Sequence, residues 1–284
     1  MKKIIVLNKY NKNSTKLNIR KNVPYISYPA LDKISWLVHG FSTRYGGVSR
    51  EHLSSMNLGI ARDDLYENVV KNHEIIAETI GFDAKKIIAS KQTHTTNIRI
   101  VSKEDCGKGI YLKRDYEDID GLITNEPGLV LATYFADCVP LYIVDTKNRA
   151  IGLSHSGWRG TVGKIGKVTI DLMHQTYGTK AEDVVTCIGP SICQNCYEIN
   201  RDVAEAFQEA FPDYISDILI EKENDKYQLD LWECNRIIFR ECGVLAENIH
   251  LPDICTCCNS DVLFSHRASN GKRGNLAAFL SIKQ

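Results

Sequence analysis

Leu129-Val130-Leu131-Ala132-Thr133-Tyr134-Phe135-Ala136-Asp137-Cys138-Val139-Pro140-Leu141-Tyr142-Ile143-Val144-Asp145 is the stretch on which the fold turns. It holds two short apolar runs, 129–135 and 141–145, each bounded by turn residues, as buried strands are. Thr146-Lys147-Asn148-Arg149 joins the second run to Ala150-Ile151-Gly152-Leu153-Ser154, and this pair reads as a hairpin. His155-Ser156-Gly157-Trp158-Arg159-Gly160 follows directly. Cys138 therefore stands at the end of one apolar run and His155 at the end of another. If strands 129–135 and 150–154 are neighbours, the thiol and the imidazole meet in space.

Upstream, Ile87-Ile88-Ala89-Ser90 is a strand-like run leading into Lys91-Gln92-Thr93-His94-Thr95-Thr96-Asn97. Residues 34–41 read as a strand entering the Thr43-Arg44-Tyr45-Gly46-Gly47 turn. Residues 121–124 precede the turn Asn125-Glu126-Pro127-Gly128, residues 184–188 end at Gly189-Pro190, and 276–282 read as a closing buried strand. Helical spacing with a glycine stop marks 64–80 before Gly81 and 161–177 before Gly178, and further helices are expected near 201–210 and 231–242. Residues 101–118 are charged and irregular, an expected exposed excursion. Strands interspersed with helices and several hairpins predict an α+β fold with mixed β-sheets and flanking helices. No linker or repeat divides the 284 residues, so 1–284 is expected to form a single compact domain.

The 35 basic and 35 acidic residues balance. That balance gives no electrostatic ground for a nucleic-acid or membrane partner. Met1-Lys2-Lys3-Ile4-Ile5-Val6-Leu7 begins as a signal peptide does, but the apolar run stops at Asn8, and a first strand is the expectation. No stretch approaches the roughly 18 apolar residues of a spanning helix, so a soluble, cytoplasmic protein is expected. Ten cysteines without a secretion signal argue for reduced thiols. Cys193-Gln194-Asn195-Cys196 and Cys255-Thr256-Cys257-Cys258 have the outline of a four-cysteine metal site. The adjacency of Cys257 and Cys258 is awkward for chelation, however, and small apolar packing residues are the expectation.

His94, Cys138 and His155 all sit at strand ends and are candidate ligands. Two neutral imidazoles and one thiolate leave a bound zinc ion with a net charge of about +1 and one open position, the form of a catalytic site. The Cys138–His155 pair alone also fits a metal-free hydrolase with a thiolate nucleophile and an imidazole base. Asp137, on a strand, would point away from Cys138 and orient a neighbouring group. Gly157 and Gly160 permit close approach by a ligand. Arg159 carries a planar fork suited to phosphate or carboxylate, and the helix at 161–177 would turn its N-terminal amides toward an anion. Arg44 with Gly46-Gly47 makes a candidate anion-binding turn or simply a turn. Asn57, in Ser55-Met56-Asn57-Leu58-Gly59, is a candidate polar contact, and Tyr45 a candidate stacking surface for a base.

Six segments occur in order: Phe41-Ser42-Thr43-Arg44-Tyr45-Gly46-Gly47-Val48-Ser49, Gln92-Thr93-His94, Ala136-Asp137-Cys138-Val139-Pro140, His155-Ser156-Gly157-Trp158-Arg159-Gly160, Ile188-Gly189-Pro190-Ser191-Ile192 and Cys255-Thr256-Cys257-Cys258-Asn259. Together they resemble the laccase-domain family, also called the multicopper polyphenol oxidase or YfiH/YlmD/FAMIN-like family, from about position 35 onward. The resemblance implies a zinc-dependent purine nucleoside phosphorylase that acts on adenosine, inosine and methylthioadenosine and also deaminates adenosine. It implies zinc ligation by His94, Cys138 and His155, and favours Arg44, Asn57 and Arg159 as contacts to nucleoside or phosphate. Near the C-terminus the family pattern is departed from: Ser265-His266-Arg267 is followed by Gly271-Lys272-Arg273-Gly274-Asn275, and Arg273 is the candidate basic residue there, away from the zinc ligands. The family's older label implies a copper-dependent polyphenol oxidase instead. Eight scattered histidines with no His-x-His pair argue against clustered copper. A nucleoside- or partner-binding protein without turnover is the remaining alternative.

Overall fold

Two six-stranded sheets face one another in this computed structural model, which describes residues 4, 6, 14–60 and 63–284. The first sheet runs in the order Lys16–Arg20, Val23–Ser27, Leu37–Ser42, Leu276–Ile282, Val130–Phe135, Ile87–Ala89. All its pairs are antiparallel except the last. The second runs Ile249–His250, Val184–Ile188, Val139–Asp145, Ala150–Ser156, Gly121–Thr124, Ile98–Ile100, antiparallel at its centre and parallel at both edges. A small antiparallel sheet of Glu198–Asn200, Lys226–Leu229 and Leu219–Glu221 stands apart.

The alternation of side chains along each strand accounts for the layering. Leu131 and Phe135 meet Tyr142, Val144, Ile151 and Leu153 of the opposite sheet in the central core. Val130 and Ala132 face outward and pack with Ile76 and Ile80 of the helix Tyr66–Ile80. Leu141 and Ile143 face outward on the other side, against Ile165, Ile170 and Met173 of the helix Ile165–Tyr177 and Phe239 of Leu231–Glu241. Four layers result: helix, sheet, sheet, helices. Strands covered on both faces need apolar residues at every position, which is why their sequences are continuous apolar runs.

The α+β fold with mixed sheets and flanking helices is thus the one the sequence predicts, and Gly81 and Gly178 close their helices in the left-handed conformation. Three details differ. Strands 129–135 and 150–154 are not sheet neighbours; they belong to opposite sheets. The helix expected at 161–177 is two, Trp158–Val162 and Ile165–Tyr177, because the chain breaks at Gly163-Lys164, where Lys164 has φ +54°. The excursion at 101–118 is irregular but not wholly exposed, since Val101, Ile110 and Tyr116 are buried. The strand expected at Met1–Leu7 lies outside the described residues, apart from Ile4 and Val6. No described helix is long and apolar enough to cross a membrane.

Candidate metal centre and its pocket

The hairpin of Val139–Asp145 and Ala150–Ser156 sets Pro140 opposite His155. Cys138, two residues before Pro140, therefore arrives beside the imidazole; it is this register that joins them, not a pairing with strand 129–135. His94 comes from the turn after Ile87–Ala89 and holds a left-handed backbone at φ +66°. Such a conformation in a non-glycine residue needs outside support. Asp120 supplies it: its buried carboxylate accepts from the amides of Thr93 (2.9 Å), His94 (3.1 Å) and Thr95 (3.0 Å). The same carboxylate accepts from His155 Nδ1 at 2.7 Å. One side chain thus fixes the positions of both histidines.

The ligand atoms of His94, Cys138 and His155 lie within 4.8 Å of one another. His94 Nε2 is 3.9 Å from Cys138 Sγ, and the two imidazole planes stand at 75°. Gly157 leaves the room for this: a Cβ there would come within 2.7 Å of His94 Cδ2 and 3.3 Å of Cys138 Sγ. Burial alone would push the Cys138 thiol up, but the His155 charge and hydrogen bonds from both histidines bring it down to about 6. Burial likewise works against a charge on His155, and the Cys138 thiolate with the Asp120 carboxylate overcomes it, raising the imidazole to about 9. Burial raises Asp120 too, yet His155 and the turn amides hold it below the usual carboxylate range. With Nδ1 committed to Asp120, Nε2 is the ring nitrogen left to bind a metal, the carboxylate–histidine–metal arrangement. The donor set of one thiolate and two imidazoles fits zinc with an open fourth position.

That open side faces a cavity of about 330 Å³ lined by His94, Cys138 and His155 on one wall and by Lys91, Arg114 and Arg273 on others. No acidic side chain among the described residues lines it. Gln92 ties the wall together, donating to the Tyr134 carbonyl at 2.8 Å and accepting from the Tyr134 amide at 2.7 Å. Arg114 is braced by the Ser90 carbonyl.

The remaining sequence candidates lie elsewhere. Arg44 donates to the carbonyls of Ser54 and Ser260 and stacks on Phe264, clasping two loops outside the pocket. The Gly46-Gly47 turn spends its donors internally, Gly47 on Ser55 Oγ and Val48 on Asn72 Oδ1, so it is a turn and not an anion nest. Asn57 is fully buried and bonds Gly59, Asp64 and the Asn275 amide; it staples a loop. Tyr45 packs against the central core. Arg159 is exposed, stacks on Trp158 and does not line the cavity. The helix it sits in is only Trp158–Val162. Asp137 lies at a bend with φ +89°, where strand alternation does not apply. Its carboxylate turns to Thr256 Oγ1 (2.6 Å) and the Arg267 amide (2.7 Å). Arg273, expected away from the ligands, lines their pocket. Asp120 and Arg114 were not legible as site residues: Asp120 precedes an ordinary strand, and Arg114 lies in the irregular excursion.

Residues 38–283 match the family described as multi-copper polyphenol oxidoreductase laccase. The chain belongs to this family. It is 36% identical over 254 residues to the purine nucleoside phosphorylase YlmD of Bacillus subtilis (strain 168), covering 87% of this chain and 89% of that one. It is 34% identical over 267 residues to a purine nucleoside phosphorylase of Bacteroides thetaiotaomicron, covering 94% and 99%. The crystal structure of the Bacillus licheniformis hypothetical protein YfiH superposes with a TM-score of 0.88 at 28% identity, over 94% of this chain and 99% of that one.

Proposed function

We propose that this chain is a zinc-dependent purine nucleoside phosphorylase, acting on adenosine, inosine and methylthioadenosine, with adenosine deaminase activity. The observation that carries the reading is the His94–Cys138–His155 group in the wall of a cationic pocket large enough for a small ligand. The family members of similar sequence that bear the name purine nucleoside phosphorylase make it specific.

In phosphorolysis a phosphate oxygen forms a bond to C1′ of the ribose while the bond from C1′ to the base nitrogen breaks. The base leaves with that electron pair and takes up a proton. The chain must hold an anion beside the nucleoside and balance the charge that moves. Arg114 and Arg273 offer planar forks and Lys91 a point charge on the cavity wall. The phosphate is assigned to these three, and not to Arg44 or Arg159. Bound to His94, Cys138 and His155, zinc would supply Lewis acidity and an activated water for replacing the C6 amino group of adenosine. Asp120 holds the proton on His155 Nδ1 and so keeps Nε2 turned toward Cys138.

A copper oxidase fits less well. Among the described residues, His94 and His155 are the only histidines in a metal-competent group. A single copper of the electron-transfer type would add an axial methionine, and among the described residues no methionine lines the cavity. The metal-free hydrolase is supported by the thiolate–imidazolium pair. Incubation with adenosine and inosine, with and without phosphate and chelator, tests the proposal. Phosphate-dependent release of adenine and hypoxanthine, lost with chelator and restored by zinc, is expected, with some inosine from adenosine without phosphate. Chelator-resistant cleavage would favour the thiol hydrolase, and no turnover of any purine nucleoside would leave a binding protein.

A further inference from the structure

The cysteines that the sequence marks as packing residues form a second ligand group. The sulfurs of Cys193, Cys196, Cys255 and Cys258 all lie within 4.8 Å of one another, with Cys196 and Cys258 3.5 Å apart. Cys257, whose adjacency argued against chelation, is not part of the group. Four thiolates around zinc at about 2.3 Å stand about 3.8 Å from one another, so these side chains need little movement to enclose one ion. A disulfide needs about 2.05 Å, and all four are free thiols.

The backbone supports the same reading. Each pair is a Cys-x-x-Cys step, and the two steps are joined by a parallel bridge between Ser191 and Cys255 and by the Thr256 amide on the Ser191 carbonyl. The amides of Cys193 and Cys258 both donate to Cys255 Sγ, at 3.3 and 3.4 Å. Two N–H donors on one sulfur suit a thiolate, and thiolates this close require a cation between them. Residues 251–275 contain no helix and no strand beyond single bridges, yet most of the stretch from 251 to 265 is buried. A run of that length without regular structure needs another restraint.

We propose that Cys193, Cys196, Cys255 and Cys258 form a closed tetrathiolate zinc site, separate from the His94–Cys138–His155 group, that staples residues 251–275 to the loop after Ser191. The staple also braces the turn that presents Cys138. The Asp137 carbonyl accepts from the Ile192 amide at 3.0 Å, beside Cys193, and the Asp137 carboxylate accepts from Thr256, inside the second step. Arg267, whose amide bonds Asp137, donates its guanidinium to the carbonyls of Cys196 and Glu198.

The site is tested in the Cys138→Ala chain, where the other group is disabled, so the result does not depend on the proposed activity. Metal analysis after purification under reducing conditions should find one zinc per chain. X-ray absorption should show four sulfur neighbours at about 2.3 Å. Adding Cys196→Ser and Cys258→Ser should remove that zinc; if this variant fails to fold, the Cys138→Ala measurement decides alone. Iron in place of zinc, nitrogen or oxygen among the neighbours, or a metal-free chain with all nine remaining thiols titratable or a mass reduced by disulfide hydrogens would overturn the proposal.

Discussion

His94, Cys138 and His155 converge from strand ends onto an open pocket, whereas Cys193, Cys196, Cys255 and Cys258 converge from irregular loops onto one another. The first group has three donors, a buried carboxylate steering one of them, and cations across the cavity. The second has four donors and no place in the cavity lining. Three fixed donors with a free side make a centre that can take a substrate; four that close on each other make a restraint. The two meet at Asp137, whose neighbour Cys138 belongs to one, and whose carbonyl and carboxylate are bonded to the loop after Ser191 and to Thr256 and Arg267 of the other. Strands place Cys138 and His155, the Asp120 carboxylate holds the turn that carries His94, and the loops of the second group need a restraint of their own.

The sharpest way to break this division is to remove one ligand from each group. Cys138→Ala should lower nucleoside cleavage by about a thousandfold or more, the scale of losing a key transition-state contact, with little change in melting temperature. Cys258→Ser should act mainly on stability, lowering the melting temperature by about 10 °C through loss of a folding-coupled metal and reducing cleavage far less than Cys138→Ala does. Equal thermal losses in both, read by calorimetry beside initial rates, would erase the distinction.

Acid separates loss of metal from loss of fold. His73 is fully buried against the Val69 carbonyl and the Tyr134 hydroxyl, and burial lowers its pKa from 6.5 to about 4. Below pH 6.5 the unfolded chain takes a proton that the folded chain refuses until about pH 4, so stability present at pH 7 is lost as pH falls through that window. The loss reaches about 3 kcal/mol for this residue. Denaturant titrations at pH 7, 5.5 and 4.5 should show the decline, and His73→Gln should lessen it, leaving the part due to His39, which burial also lowers to about 4. An unchanged slope in the variant would remove His73 from the account.

Smaller effects sharpen the open centre. Asp120→Asn keeps the shape but weakens the hold on His155 and the His94 turn, and zinc affinity or activity should fall about 10- to 100-fold. Undiminished zinc affinity, measured by competition with a chromophoric chelator, would make Asp120 incidental. Arg273→Lys loses a planar fork in the cavity and should raise the KM for phosphate about tenfold. Arg159→Lys, on the exposed side of Trp158, should leave it nearly unchanged. The opposite ranking would return the phosphate to Arg159.

The contrast between the groups also marks what the sequence could show. Strands such as Val130–Phe135 and Val139–Asp145 were legible because both of their faces are covered, and the helix ends because Gly81 and Gly178 occupy left-handed positions. His94, Cys138 and His155 stood out as candidates because each follows an apolar run, whereas their convergence rests on the pairing of Pro140 with His155 and on the Asp120 carboxylate, which no pattern showed. The division of the strands between two facing sheets was not, since an apolar run carries no record of which sheet it joins. Asp120 was hidden because one carboxylate before a strand has no pattern; the four-cysteine outline was visible, but the adjacency of Cys257 and Cys258 obscured which sulfurs group, since its halves are 62 residues apart and meet through the Ser191–Cys255 bridge. Arg44, Asn57 and Arg159 drew attention through the motifs that contain them, yet their side chains serve loops or solvent.

The most direct test of the central claim, that the open His94–Cys138–His155 centre performs phosphorolysis, is the sugar released from inosine by the wild-type and Cys138→Ala chains. Ribose 1-phosphate, formed with hypoxanthine in equal amounts, is expected only with phosphate present and only from the wild-type chain. Free ribose formed at a rate independent of phosphate, or ribose 1-phosphate still produced by Cys138→Ala, would contradict that claim.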